Sequence, residues 1–145
     1  MATQIFVNLP VKNLDNSVKF FTKLGYSFNP QFTDENATCM IISENIYVML
    51  LVEKFFKTFI PNEIADGNKQ TEALICLSAD SREEVDSLVN KALEAGGTTY
   101  RKPQDQGFMY ERSFRDPDGH SWEIMYMDMT AFTQAQNATK TVGVN

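Results

Sequence analysis

At 145 residues and 16.5 kDa, with 43% hydrophobic and 22% charged residues, the chain has the size and makeup of one globular domain or of two small halves sharing a core. A net charge of -6, with 13 Lys and Arg dispersed along the sequence, provides no basic stripe, so nucleic acid is not an expected partner. No leader pattern opens the sequence, and the longest apolar run, around IYVMLLV, is far too short to span a bilayer; a cytoplasmic protein with no membrane partner is expected. QIFVNLPV alternates as a strand does. Asn13 or Asp15 then caps DNSVKFFTKLG, whose Val18, Phe20, Phe21 and Leu24 fall at helical spacing before Gly25. YSFNPQF, TCMIISE and NIYVMLLVE read as three strands separated by polar turns. FFKTFIPNEIADGNK, with Pro61 and Gly67, reads as a connector with room for a short helix. EALICLSA is the next strand, Asp80 and Ser81 cap SREEVDSLVNKALEAGG, and TTYRKP, GFMYERSF and HSWEIMYM follow as strands. From Thr130 onward apolar periodicity fades, which predicts a loose tail.

The order strand, helix, three strands occurs twice, with corresponding positions roughly 70 residues apart. This predicts a single α+β domain over 1–128 made of two βαβββ modules, 1–57 and 70–128, joined by a connector at 58–69 and followed by a C-terminal tail at 129–145. The last two strands are linked by DPDG, after which come the only histidine, His120, the only tryptophan, Trp122, and Glu123. Pro117 and Gly119 suit a type I turn with a glycine bulge, a register that pairs Asp116 with His120 and places Ser113 opposite Glu123. Alternation turns Phe114, Arg112, Trp122 and Ile124 to the other face, and His120 reads as a turn-closing or surface residue. Cys39 and Cys76 lie in apolar stretches far apart in sequence and read as buried, reduced thiols.

With its two βαβββ units, the second closing on FRDPDGHSWEIMY, the chain resembles the vicinal oxygen chelate superfamily over about residues 4–128. That superfamily includes glyoxalase I, fosfomycin-resistance transferases, extradiol dioxygenases and bleomycin-resistance proteins. The resemblance implies that each module curls its sheet into half a barrel around a cavity, with helices on the convex face. It also implies a divalent metal held by first-strand and last-strand residues of each module. Those four positions fall on Phe6, Met49, Leu74 and Glu123. Three apolar side chains offer no lone pair suited to a divalent ion, so no metal and no other cofactor is expected, Glu123 being the only retained ligand position.

Function is then expected from the lining itself. Alternation places Phe6, Asn8, Met49, Leu51, Leu74, Cys76, Met109, Glu111, Ser113, Glu123 and Met125 toward the interior, an apolar surface with one polar cluster. The reading that fits best is a metal-independent binder of a small amphipathic or aromatic molecule, resembling the bleomycin-resistance branch. A second is a lyase or isomerase resembling glyoxalase I, with Glu123 as base and a noncanonical metal or none. A third is a structural or interaction protein whose cavity is filled by its own side chains. Phe55, Phe56 and Phe59 form either a lid or a packing seam. Unprotected strand edges lead us to expect a homodimer.

Overall fold

The computed structural model describes residues 2–143, so residues 144–145 of the tail lie outside the described residues. The first module contains β1 (Ile5–Val11), α1 (Leu14–Lys23), β2 (Ser27–Asn29), β3 (Ala37–Ser43) and β4 (Ile46–Val52). A short α2 (Glu53–Phe56) and a 3-10 turn (Lys57–Phe59) open the connector. The second module contains β5 (Leu74–Ser78), α3 (Arg82–Glu94), β6 (Gln104–Asp105), β7 (Met109–Arg115) and β8 (Ser121–Met127). The two sheets have matching orders, β1-β4-β3-β2 and β5-β8-β7-β6. In each, the first strand runs parallel to the last and the other pairs are antiparallel. The chain is an α+β protein of two mixed four-stranded sheets, neither closed into a barrel.

Local signals explain most of the boundaries. Asn13 caps α1 by accepting from the Asn16 amide at 3.0 Å. At α3, Ser81 accepts from the Glu84 amide at 3.0 Å while Glu84 reaches back to the Asp80 amide at 2.8 Å, a reciprocal cap that satisfies two otherwise unpaired donors. One face of each sheet packs on its helix, and the two helix layers meet. Phe21 lies edge-on to Trp122 with ring centroids 5.4 Å apart, and Phe20 contacts Phe114 at 6.0 Å. Leu9, Val11, Val48 and Leu50 from one sheet therefore share one core with Phe114, Trp122 and Ile124 from the other.

Several elements differ from the sequence reading. YSFNPQF is a strand only at Ser27–Asn29, because Pro30 fixes φ and starts a 3-10 turn at Pro30–Phe32. TTYRKP is irregular apart from one bridge between Thr98 and Arg115, and β6 begins after Pro103. The expected loose tail is a helix, α4 (Met129–Gly143). Its first turn is held by Asp128, which accepts from the Ala131 amide at 3.1 Å, and Phe132 stacks edge-on against Phe108 at 5.3 Å. Those two contacts supply what weak periodicity did not signal. No helix among the described residues is long and apolar enough to cross a membrane.

Candidate functional site

Strand register distributes the expected lining residues between two faces, each turned away from the long helix of its module, α1 or α3. On the first sheet Phe6 pairs with Tyr47, and Asn8 pairs with Met49, whose other neighbour is Cys39. On the second, Cys76 pairs with Glu123, whose other neighbour is Ser113, while Glu111 pairs with Met125 and Met109 with Met127. Of the eleven, Phe6, Asn8, Met49 and Leu51 are thus brought together on one sheet and the other seven on the second. Both faces are open at their edges. Leu74 is 59% exposed, and Phe6 is half exposed with its ring stacked on Tyr47 at 4.9 Å. Cys76, read from sequence as a buried thiol, is exposed, because β5 is an edge strand and this side of it faces away from α3; Cys39 is buried as expected.

The chemistry concentrates on the second sheet. Glu123 is only 8% exposed, and the thiol of Cys76 and carboxylate oxygens of Glu111 and Glu123 all lie within 4.8 Å of one another. Burial raises the Glu111 carboxyl above its ordinary range, and the neighbouring Glu123 raises it further; Arg101, 3.6 Å away, opposes both. Burial likewise pushes the Cys76 thiol up, helped by the same two carboxylates. Sequence reasoning missed Tyr100. Its hydroxyl donates to Glu123 Oε1 at 3.4 Å, and burial with the charge of Glu123 pushes the phenol up to about 12, which keeps it a donor. Tyr100 lies in an irregular segment, where no period marks which way a side chain turns. Arg115 stacks its guanidinium over the Tyr100 ring at 5.1 Å. Ser113 is buried directly beside Glu123, with its hydroxyl close to that of Tyr100.

The DPDGH turn has a different task. The register is as expected: the Gly119 amide donates to Asp116 O at 3.0 Å and Ser113 faces Glu123. Asp118 accepts from the Lys12 amide at 2.8 Å and from Ser17 at 3.3 Å, both in the first module. Asp116 accepts from Trp122 Nε1 at 3.0 Å and from the amides of Asp118 and His120. His120 closes the turn as expected, but it is buried and not on the surface. Its Nε2 lies 2.7 Å from the Pro10 carbonyl and its Nδ1 2.5 Å from Glu72. A carboxylate and a carbonyl both accept, an arrangement that favours the ring with a proton on each nitrogen. Burial alone would lower its pKa, yet Asp116, the Pro10 carbonyl and Glu72 together leave it raised. Gly119, at φ 83°, also packs against Gly67, where an added Cβ would come within 2.8 Å of backbone. The turn locks one module to the other.

On the first sheet, Asn8 and Leu51 join Phe56, Phe59 and Ile60 in an apolar groove of about 400 Å³. Phe59, 65% exposed, stacks edge-on with Phe55 at 5.1 Å and forms the outer wall.

The profile of the Glyoxalase/Bleomycin resistance protein/Dioxygenase superfamily matches residues 4–124. The chain belongs to this superfamily. Hypothetical protein SA1046 from S. aureus is similar to it at 30% identity and TM-score 0.73, over 87% of this chain and 95% of that one. Lactoylglutathione lyase from Agrobacterium tumefaciens shares 16% identity with TM-score 0.64, over 89% and 96% of the two chains. Fosfomycin resistance protein FosX from Mesorhizobium loti shares 13% identity with TM-score 0.66, over 92% and 98%. These two distant likenesses concern the fold. Comparison with curated proteins gives no significant match. Of the four positions that the resemblance assigns to a family metal, Phe6, Met49 and Leu74 carry hydrocarbon or thioether side chains and only Glu123 offers an oxygen, a set that does not fit a divalent ion.

Proposed function

We propose that this superfamily member binds a small amphipathic or aromatic molecule on the sheet faces turned away from α1 and α3, without the metal centre of the family. The observation that carries this reading is an apolar groove on the first sheet walled by Leu51, Phe56 and Phe59, in a chain with Phe6, Met49 and Leu74 at three of the positions that the resemblance assigns to a metal. Ligand sites are typically apolar clefts with a few placed polar groups, and Asn8 supplies such a group in the groove. The test is a thermal-shift screen of aromatic and amphipathic compounds in buffer containing a chelator. A compound at a hundredfold excess over its Kd should raise Tm by roughly 5–10 °C. A screen in which no compound shifts Tm, or in which shifts appear only after metal is added, overturns the proposal.

A lyase or isomerase with Glu123 as base is a second reading, favoured by the buried carboxylate beside Tyr100 and Glu111. Turnover of a glutathione hemithioacetal that disappears in Glu123→Gln would support it; equal rates in both proteins would remove it. We also propose a homodimer. Ile5, Phe6 and Leu74 present exposed apolar side chains on β1 and β5, which are edges of their sheets. A single 16.5 kDa species in sedimentation at micromolar concentration would exclude the dimer.

A further inference from the structure

The segment 60–73 leaves the first module at the groove and meets the second at the DPDGH turn. Ile60, at its start, walls the groove beside Phe56 and Phe59. Asp66 gathers the middle into a tight turn: its carbonyl accepts from the Lys69 and Gln70 amides at 2.9 and 2.8 Å, and its side chain accepts from the Asn68 amide at 3.0 Å. The backbone of Gly67 lies against Gly119, and Glu72 meets His120 Nδ1 at 2.5 Å. Between those two contacts Asn68, Lys69, Gln70 and Thr71 are exposed polar residues with nothing to bury. A segment with so few apolar contacts opens locally at low cost, so the contact at Glu72 carries much of its hold on the second module.

His120 joins three parts of the chain: its ring meets the Pro10 carbonyl of β1 and the Glu72 carboxylate, and its amide donates to Asp116 in its own turn. A ring with two N–H groups donates to both Pro10 and Glu72; a neutral ring has one N–H, and one acceptor then faces a lone pair. The Pro10 carbonyl is fixed within β1, whereas the Glu72 side chain is 27% exposed and can turn to water. Other charges look toward the ring from a cavity of about 340 Å³ beside it: Lys12 after β1, Glu53 and Lys57 near α2, Glu63 and Asp66 in the connector, and Asp118 in the turn. Four acids against two lysines, with Asp116 buried next to the ring, favour the imidazolium. We propose that the segment 60–73 is a strap latched to the second module by the His120–Glu72 pair and released when that pair loses its proton. On release the Nδ1 proton passes to solvent, the Glu72 carboxylate turns outward, and residues 68–73 come away from the turn. The folded pKa of His120 lies above its ordinary value of 6.5, so the latch is complete below that value and is lost as pH rises through the folded one. Because Ile60 belongs to the groove wall, release loosens the groove from one side. That consequence rests on the groove being the ligand site; the latch itself does not.

Lys69 is the single lysine or arginine between positions 58 and 81, so trypsin nicking after it reads the strap alone. The full chain, with no ligand added, is digested briefly from pH 6 to pH 9. Each rate is normalised to that of a synthetic peptide of residues 62–76 carrying the same substitution. In the parent the normalised rate of cleavage after Lys69 should rise severalfold across this range, while cleavage after Lys91 in α3 stays slow. His120→Asn should be cut after Lys69 at pH 6 as fast as the parent is at pH 9, with no further rise. Glu72→Ala, at a partly exposed side chain, should do the same and serves if the histidine variant does not fold. Glu63→Ala, which leaves the His120–Glu72 pair in place, should follow the parent. A flat parent profile, a pH 6 rate in folded Glu72→Ala as slow as the parent's, or cleavage after Lys69 and Lys91 rising together would each overturn the latch.

Discussion

In the first module Asn8, Met49 and Cys39 stand side by side across three strands; in the second, the equivalent row is Cys76, Glu123 and Ser113. Strand order and register coincide, but one row is nearly apolar and the other holds a thiol, a buried carboxylate and a hydroxyl. On the opposite faces of the same strands the two modules agree: Val48 and Leu50 pack as Trp122 and Ile124 do, into one core. The helix-facing side is held to an apolar pattern because it must exclude water. The other side contributes no residue of the sheets to that shared core, even where Cys39, Leu51, Ser113 and Glu123 are buried on it, and it is lined as a groove in one module and by a donor cluster in the other. The two modules share strand order and packing but not the chemistry of this face.

The sharpest way to break this comparison is to attack the core that both modules share. Trp122→Ala removes a 1%-exposed ring that touches Phe21 of the other module and strips Asp116 of a donor. A loss of about 3–5 kcal/mol is expected, read as a shift in the urea midpoint. If the modules depend on one core, a single transition should be seen at both module-specific probes.

The inter-module lock is the next target. His120→Asn takes the ring from between Pro10 and Glu72 and should cost about 2–4 kcal/mol below neutral pH. The sign of the pH dependence follows from the raised folded pKa. Stability from this histidine is complete below its ordinary value of 6.5 and is lost as pH rises through the higher folded value. Urea unfolding from pH 6 to 9 should therefore show the parent weakening more steeply than His120→Asn; parallel curves would mean that the ring is not charged in the fold. Gly119→Ala, which sets a Cβ against Gly67 at a positive φ, should cost about 1–3 kcal/mol by the same measurement.

The smallest expected effects sharpen the contrast between the two open faces. Phe59→Ser should change stability by less than about 0.5 kcal/mol, since the ring is mostly exposed, yet should weaken any compound found in the groove. Glu123→Gln should leave that compound bound as before. A compound that responds to Glu123→Gln and ignores Phe59→Ser would move the ligand from the first module to the second.

The sequence by itself determined the repeated βαβββ order, the caps at Asn13 and Ser81, and the hairpin register that faces Ser113 with Glu123. All of these rest on local periodicity, turn chemistry or residue identity, which act over a few neighbours. Only the tertiary structure decided the rest. The exposure of Cys76 depends on β5 lying at a sheet edge, and the meeting of Cys76, Glu111 and Glu123 needs three strands in register. Tyr100 reaches Glu123 from an irregular segment with no period to read. His120 is buried because Pro10, more than a hundred residues earlier, and Glu72 close over it. α4 is held by Phe108 and Asp128, not by its own pattern. Contacts between residues distant in sequence leave no local signature, so neither the donor cluster nor the lock could be read from the chain alone.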